Sequence, residues 1–145
     1  MNSNNFEIQK KKLLISFKEN RFEEVICDGV NLLEQRQNDA QLIYILGLSS
    51  INLQNFNNAE KFFKKLTLLN KTAENFYTLG NIQKKQKKFE DAIESFKEAI
   101  KANPNFSEAY NNLGSTQKSL NKFEEAILSY KTVSYTHLTL PTNGL

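Results

Sequence analysis

From Phe89 to Ile100 the apolar residues fall at Phe89, Ala92, Ile93, Phe96, Ala99 and Ile100, with charged and polar residues between them. Steps of three and four mark one face of an α-helix. The spacing returns at Phe123, Ala126, Ile127, Tyr130 and Val133, and earlier at Phe56, Ala59, Phe63 and Leu66. A second stretch precedes each of these: Phe76-Tyr77-Thr78-Leu79-Gly80 is matched 34 residues later by Tyr110-Asn111-Asn112-Leu113-Gly114 and 33 residues earlier by Ile43-Tyr44-Ile45-Leu46-Gly47. Further back, Phe22-Glu23-Glu24-Val25, Gly29 and Leu32 fit the second half of the unit, whereas Leu13, Leu14 and Phe17 form only a general apolar face. The pattern predicts eight helices in four hairpins, at about 6–19 and 22–36, 40–53 and 56–69, 73–86 and 89–102, and 107–120 and 123–132.

Similarity at a fixed period of this size indicates an all-α solenoid, because one small hairpin cannot bury its apolar face and stacks on its neighbours instead. Glycine inside a helix costs about 1 kcal/mol relative to alanine, so Gly47, Gly80 and Gly114 in register need a reason. Close approach of two helices supplies one, and the small side chains of Ala59, Ala92 and Ala126 suit the facing contact. Asn20, Asn55 and Asn121 stand in the turns, where asparagine tolerates the left-handed conformation. Asp39, Thr72 and Ser107 are placed to cap helices.

Leu-Gly followed at fixed distance by Phe-Glu-Asp/Glu-Ala-Ile, twice over, resembles the tetratricopeptide repeat family, whose unit is a 34-residue helix-turn-helix. The resemblance covers Asp39 to Thr132 well and Phe6 to Asn38 weakly. It implies a right-handed α-solenoid of stacked helix-turn-helix (TPR) repeats, divided as a frayed N-terminus at 1–5, a degenerate TPR-like hairpin at 6–38, repeats at 39–72 and 73–106, and an incomplete repeat at 107–132. Gln83 and Gln117 stand where the family usually carries an aromatic, and Gly29 where it carries a bulky residue.

After Thr132 the pattern stops. Val133 to Thr142 carries no charge and is rich in β-branched residues, and it resembles one translated frame of the adapter used in transposase-based sequencing libraries. Residues 133–145 are therefore expected to be a non-native tail, with the natural protein continuing beyond Thr132 and the apolar edge at Ile127 and Tyr130 left without a neighbour. His137, the chain's one histidine, falls in this tail.

Composition narrows the function. The net charge is +3, and Lys and Glu are interleaved along helix faces, as at Glu94, Lys97, Glu98 and Lys101, which reads as a solvated surface. The runs Lys10-Lys11-Lys12 and Lys84-Lys85 with Lys87-Lys88 are short and separate, so no nucleic-acid partner is expected. A lone Cys27 cannot form an internal disulfide and is expected to be a buried small hydrophobe. No apolar run reaches spanning length and no signal peptide is seen, so no membrane partner and a cytoplasmic location are expected. Seventeen Lys against two Arg suggest an AT-rich, bacterial genome.

No phosphate loop, metal-ligand spacing or Ser/His/Asp set is present, so no catalytic residue, cofactor, metal or small-molecule substrate is expected and the chain is read as a non-enzyme. Glu90-Asp91 and Glu124-Glu125 recur at helix starts, where the helix dipole favours negative charge. What remains is a scaffold that binds an extended peptide or partner domain on its concave face. If Leu46, Gly47, Leu79, Gly80, Leu113 and Gly114 pack inward, the groove presents Tyr44, Leu48, Tyr77, Asn81, Lys84, Asn111, Ser115 and Lys118. Asn112, with Asn81 and Asn111 nearby, hints at an asparagine ladder for peptide backbones. Replacing Tyr77 and Asn81 by alanine is expected to weaken partner binding without altering melting. The second reading is the N-terminal arm of a larger transferase, a glycosyltransferase of the peptide O-GlcNAc transferase kind or a sulfotransferase, since similar repeats often precede such domains.

Overall fold

The structure is a computed structural model that describes the backbone of residues 2–142 and the side chains of residues 2–133. Among the described residues there are eight α-helices and no strand: α1 (Ser3–Lys18), α2 (Phe22–Leu33), α3 (Ala40–Asn52), α4 (Phe56–Leu69), α5 (Ala73–Lys85), α6 (Phe89–Ala102), α7 (Ser107–Ser119) and α8 (Phe123–Thr142). They fall into two compact units divided between Asn70 and Lys71.

In the first unit α1 and α2 form one hairpin, α3 and α4 the next, and α3 packs on both helices of the first pair. Its core is Phe6, Leu13, Val25, Leu32, Leu42, Ile45 and Leu46, all at least nine-tenths buried. In the second unit α5 pairs with α6 and α7 with α8, and α7 packs on α6 and α5. Ala92, Ile93, Phe96 and Leu113 form its core, with Tyr77, Ile100 and Leu120 against them.

The three Leu-Gly pairs are buried, as the repeat requires. A β-carbon on Gly47 would stand 2.7 Å from Phe63 Cε2, one on Gly80 2.6 Å from Phe96 Cε1, and one on Gly114 2.9 Å from Tyr130 Cε1. In each hairpin the first helix therefore supplies a gap and the second an aromatic ring that fills it. Interior packing at this density leaves no room for a methyl group without displacement.

The turns depart from the expected asparagines. The left-handed residues are Asn20, Gln54, Lys87 and Asn121, which share one place in the repeat. Asn55 instead precedes α4 and its side chain accepts from Asn58 N at 3.2 Å. Asp39 and Thr72 cap α3 and α5 through Leu42 N at 2.9 Å and Asn75 N at 3.2 Å. Ser107 does not cap: it is the first residue of α7, preceded by Phe106, which makes no side-chain cap. Instead the Phe106 ring lies 4.9 Å from that of Tyr77.

Two ends also differ from expectation. Helix α1 begins at Ser3, capped by Asn2, where the polar N-terminus had suggested fraying. Helix α8 does not stop at Thr132 but runs to Thr142. Loss of charge removes an amphipathic pattern without removing backbone hydrogen bonds, and an established helix propagates with one bond per residue. The side chain of His137 lies outside the described residues.

Cys27 is exposed, contrary to the expected burial. Val25, Gly29 and Leu32 form the buried stripe of α2, and Cys27 stands between them in sequence but off that stripe. Its counterparts in the repeat, Lys61 and Glu94, are exposed too.

Candidate functional site

Tyr77, Asn81 and Lys84 follow one another at i, i+4 and i+7 on α5, and Asn111, Ser115 and Lys118 do the same on α7. The rows belong to neighbouring first helices of one unit, and the structure joins them through a residue between them. Asn112 Nδ2 donates to Tyr77 Oη at 3.0 Å and to Asn81 Oδ1 at 2.7 Å. One turn along, Lys84 Nζ donates to Ser115 Oγ at 2.5 Å, and Ser115 Oγ donates to the carbonyl of Asn112 at 3.1 Å.

The Tyr77 ring is held from behind, 6.0 Å from Phe96 and 4.9 Å from Phe106. Half-buried and packed on two aromatics, it supports the hairpin. Alanine at Tyr77 is therefore expected to lower stability, and it does not isolate binding. Burial holds the Lys84 ammonium below its ordinary value of 10.5, with the charge of Lys85 adding to the effect. A carboxylate brought against Lys84 would relieve both.

Both amide hydrogens of Asn112 are engaged, which leaves its Oδ1 as an acceptor and the Asn81 amide nitrogen as a donor. An acceptor beside a donor matches the N–H and C=O of an extended peptide. Asn111 and Lys118 are exposed and take no part in the network.

The corresponding residues of the first unit are arranged differently. Tyr44 is 44% exposed with its ring edge-on to Phe63 at 6.0 Å, and Leu48 is half-buried. Lys10, the counterpart of Tyr44 on α1, reaches Asp39 Oδ2 at 3.0 Å and Glu7 Oε2 at 3.3 Å. This stretch is apolar and ionic, without the amide network. The eight predicted residues thus do not form one surface of uniform chemistry, and the member that links four of them, Asn112, was visible in the sequence only as a hint. Its signal is that it lies one residue past the place shared by Tyr44, Tyr77 and Asn111.

The two glutamines that depart from the expected aromatic have partners. Ser95 Oγ donates to Gln83 Oε1 at 2.6 Å and Ser129 Oγ to Gln117 Oε1 at 2.8 Å, each pair buried between the helices of its hairpin. Glutamine and serine recur together with a separation of twelve, which the sequence carried unread.

Models of the tetratricopeptide repeat match residues 40–72, 73–106 and 95–128, well over half of the chain. The chain belongs to the tetratricopeptide repeat family. No curated protein matches it significantly. Among solved structures it is similar to MamA, at 24% identity over 81% of this chain and 70% of that one with a TM-score of 0.76. It is similar also to MamA from Desulfovibrio magneticus RS-1, at 15% identity over 97% of this chain and 79% of that one with a TM-score of 0.82. A third is YrrB, described as a TPR protein with an unusual peptide-binding site, at 20% identity over 85% of this chain and 64% of that one with a TM-score of 0.75. At these identities the likeness is one of fold, and the tetratricopeptide repeat chain shares the all-α fold of helical-repeat solenoids. Among its described residues no group of three or more His, Cys, Asp or Glu is placed to hold a metal ion, and no helix is long and apolar enough to cross a membrane.

Proposed function

We propose that the chain is a protein-interaction scaffold that holds an extended peptide against the first helices of its second unit, α5 and α7. One observation carries the reading: Asn112 ties Tyr77 to Asn81 with both of its amide hydrogens, which leaves the Asn112 amide oxygen and the Asn81 amide nitrogen for a ligand. A peptide backbone laid along the face completes both bonds, and Lys84, destabilised in its charged form by burial, favours an acidic side chain one turn further on. YrrB, similar in fold and described by its peptide-binding site, makes the reading reasonable without specifying the ligand.

The test is to select peptides from a random display library on the whole chain, then measure their affinities for Asn81→Ala and Asn112→Ala. Each substitution is expected to weaken binding about tenfold, the scale of one buried hydrogen bond of roughly 1.4 kcal/mol. Tyr77→Phe removes the hydroxyl while keeping the ring on Phe96 and Phe106, and should cost less. Selected peptides that bind all three variants as well as the parent would place the site elsewhere.

A further inference from the structure

Helix α8 departs from its counterparts in the repeat at one position that stacking of hairpins does not explain. Ile93 and Phe96 on α6 are 4% and 0% exposed because α7 covers them, whereas Ile127 and Tyr130, at the same places on α8, are 53% and 37% exposed. A further helix laid as α7 is laid would cover those two. It would not cover Leu128. The counterparts of Leu128 are Cys27, Lys61 and Glu94, all exposed even where a following hairpin is present, yet Leu128 is a leucine 67% exposed. A solvent position in every other hairpin is apolar here, so the face asks for a partner on a side that the repeat leaves open.

The charges beside it indicate which partner. Glu124 lies three residues before Ile127 and Lys131 three after Leu128, so the segment reads Glu, apolar pair, Lys about a centre at the Ile127–Leu128 bond. At 100° per residue all four side chains lie on one stripe of the helix. Turned end for end, the stripe is complementary to itself. Two copies crossing antiparallel at this centre set Ile127 of each against Leu128 of the other and bring each Glu124 to the other's Lys131. Among the described residues neither Glu124 nor Lys131 is ion-paired within the chain. A two-fold axis repeats every contact, which is the commonest way a protein self-associates.

We infer that this face docks a second copy of the chain, α8 against α8 in antiparallel register about Ile127 and Leu128. Phe123, 53% exposed, extends the apolar strip at the end of the stripe. The α5–α7 face lies on other helices.

Sedimentation equilibrium of the whole chain, from about 5 to 200 μM, is expected to give twice the 16.7 kDa chain mass at the upper end. Leu128→Glu restores the kind of residue found at Glu94 and should remain monomeric throughout, with unchanged helicity by circular dichroism because the position is 67% exposed. Glu124→Lys and Lys131→Glu alone should each weaken association about tenfold, by setting like charges opposite one another. Mixing these two variants in equal amounts, or combining both changes in one chain, should restore it. Recovery in the doubly changed chain tests the antiparallel register, since a parallel pairing would set like charges opposite one another in that chain as it does in the parent. A parent chain that is monomeric at every concentration would overturn the inference and leave the face to a different protein. Single charge variants that associate like the parent, or an exchange that fails to recover association, would overturn it equally.

Discussion

The first hairpin and the three that follow solve the same packing problem with opposite choices of residue. In the repeats a glycine on the first helix receives a ring from the second, as Gly80 receives Phe96. In α1 and α2 the same two places carry Leu13 and Gly29, so the large side chain comes from the first helix and the gap from the second. A β-carbon on Gly29 would stand 3.6 Å from Leu13 Cδ1 and 2.6 Å from Leu46 Cδ2, which leans in from α3. The polar pair is altered too. Where Gln83 and Gln117 accept from Ser95 and Ser129, the first hairpin has Ser16 and Asp28, and Ser16 turns to Glu24 Oε1 at 3.5 Å. Lys12 occupies the place of Leu46, Leu79 and Leu113, and stands exposed beside a cleft of about 320 Å³ that Gln9, Glu24, Asp28, Asn31 and Gln35 also line. The first hairpin places its glycine on the second helix, with Leu46 of α3 and Leu13 of α1 as the side chains nearest to it. Backbone geometry is thus more tolerant of exchange than the residue pattern suggests.

The largest expected effect comes from putting the volume on the wrong side. Gly80→Leu drives a side chain into Phe96 and should destabilise the second unit by about 3 kcal/mol or more, read as a fall in urea midpoint. Gly80→Leu with Phe96→Gly rebuilds the arrangement of Leu13 and Gly29. If the exchange seen in the first hairpin is a true alternative, the double variant should recover at least about 1 kcal/mol relative to the sum of the singles. No recovery would mean that Leu46 rather than Leu13 fills the gap at Gly29, and the first hairpin would be a local accommodation rather than a mirrored pair.

Much of this was legible because periodicity names equivalent positions. Buried Leu46, Leu79 and Leu113 and the register of the helices follow from the spacing of apolar residues and from nothing else. At Gln54 and Lys87 register and not residue preference decides the left-handed turn residue, since both share one place in the repeat with Asn20 and Asn121. Cys27 was misplaced for the same reason, as an apolar residue type at a solvent position. Interactions between side chains were legible only as recurrences: the bonds from Asn112 and the pairing of Gln83 with Ser95 depend on rotamers and helix separation, which no one-dimensional pattern carries.

A middle-sized effect tests the polar pair. Gln83 is 3% exposed, and Ser95→Ala takes the donor from its Oε1 without opening a path for water. The loss should be about 1–3 kcal/mol, the range for a buried acceptor left unsatisfied. Ser16→Ala removes a bond at the edge of hydrogen-bonding range and should cost under about 0.5 kcal/mol. Equal losses in thermal melts of the two variants would show that the serines act through packing and not through their hydroxyls.

The smallest effect separates the faces of the two hairpins by pH. Lys10 stands where Tyr44, Tyr77 and Asn111 stand in the repeats, but it is an internal ion-pair partner rather than a free surface residue, with side-chain exposure of 12% against 13% for Asp39. Burial alone would lower its pKa; the hydrogen bond and charge of Asp39, then those of Glu7, outweigh that and raise it above 10.5. A lysine whose folded pKa exceeds its unfolded value stabilises the fold below the unfolded value and ceases to do so as pH rises through the folded one. Lys10→Met should therefore cost about 1 kcal/mol at neutral pH. The gap between variant and parent in urea midpoint should hold to pH 10 or so and close above 10.5. Asn111→Met, at the corresponding exposed place, should change stability by less than about 0.5 kcal/mol at every pH. A Lys10→Met gap that persists unchanged above the lysine's titration would mean that the apolar stem of Lys10, whose Nζ lies 5.6 Å from the Phe6 ring centroid, and not its charge, is what the first hairpin uses.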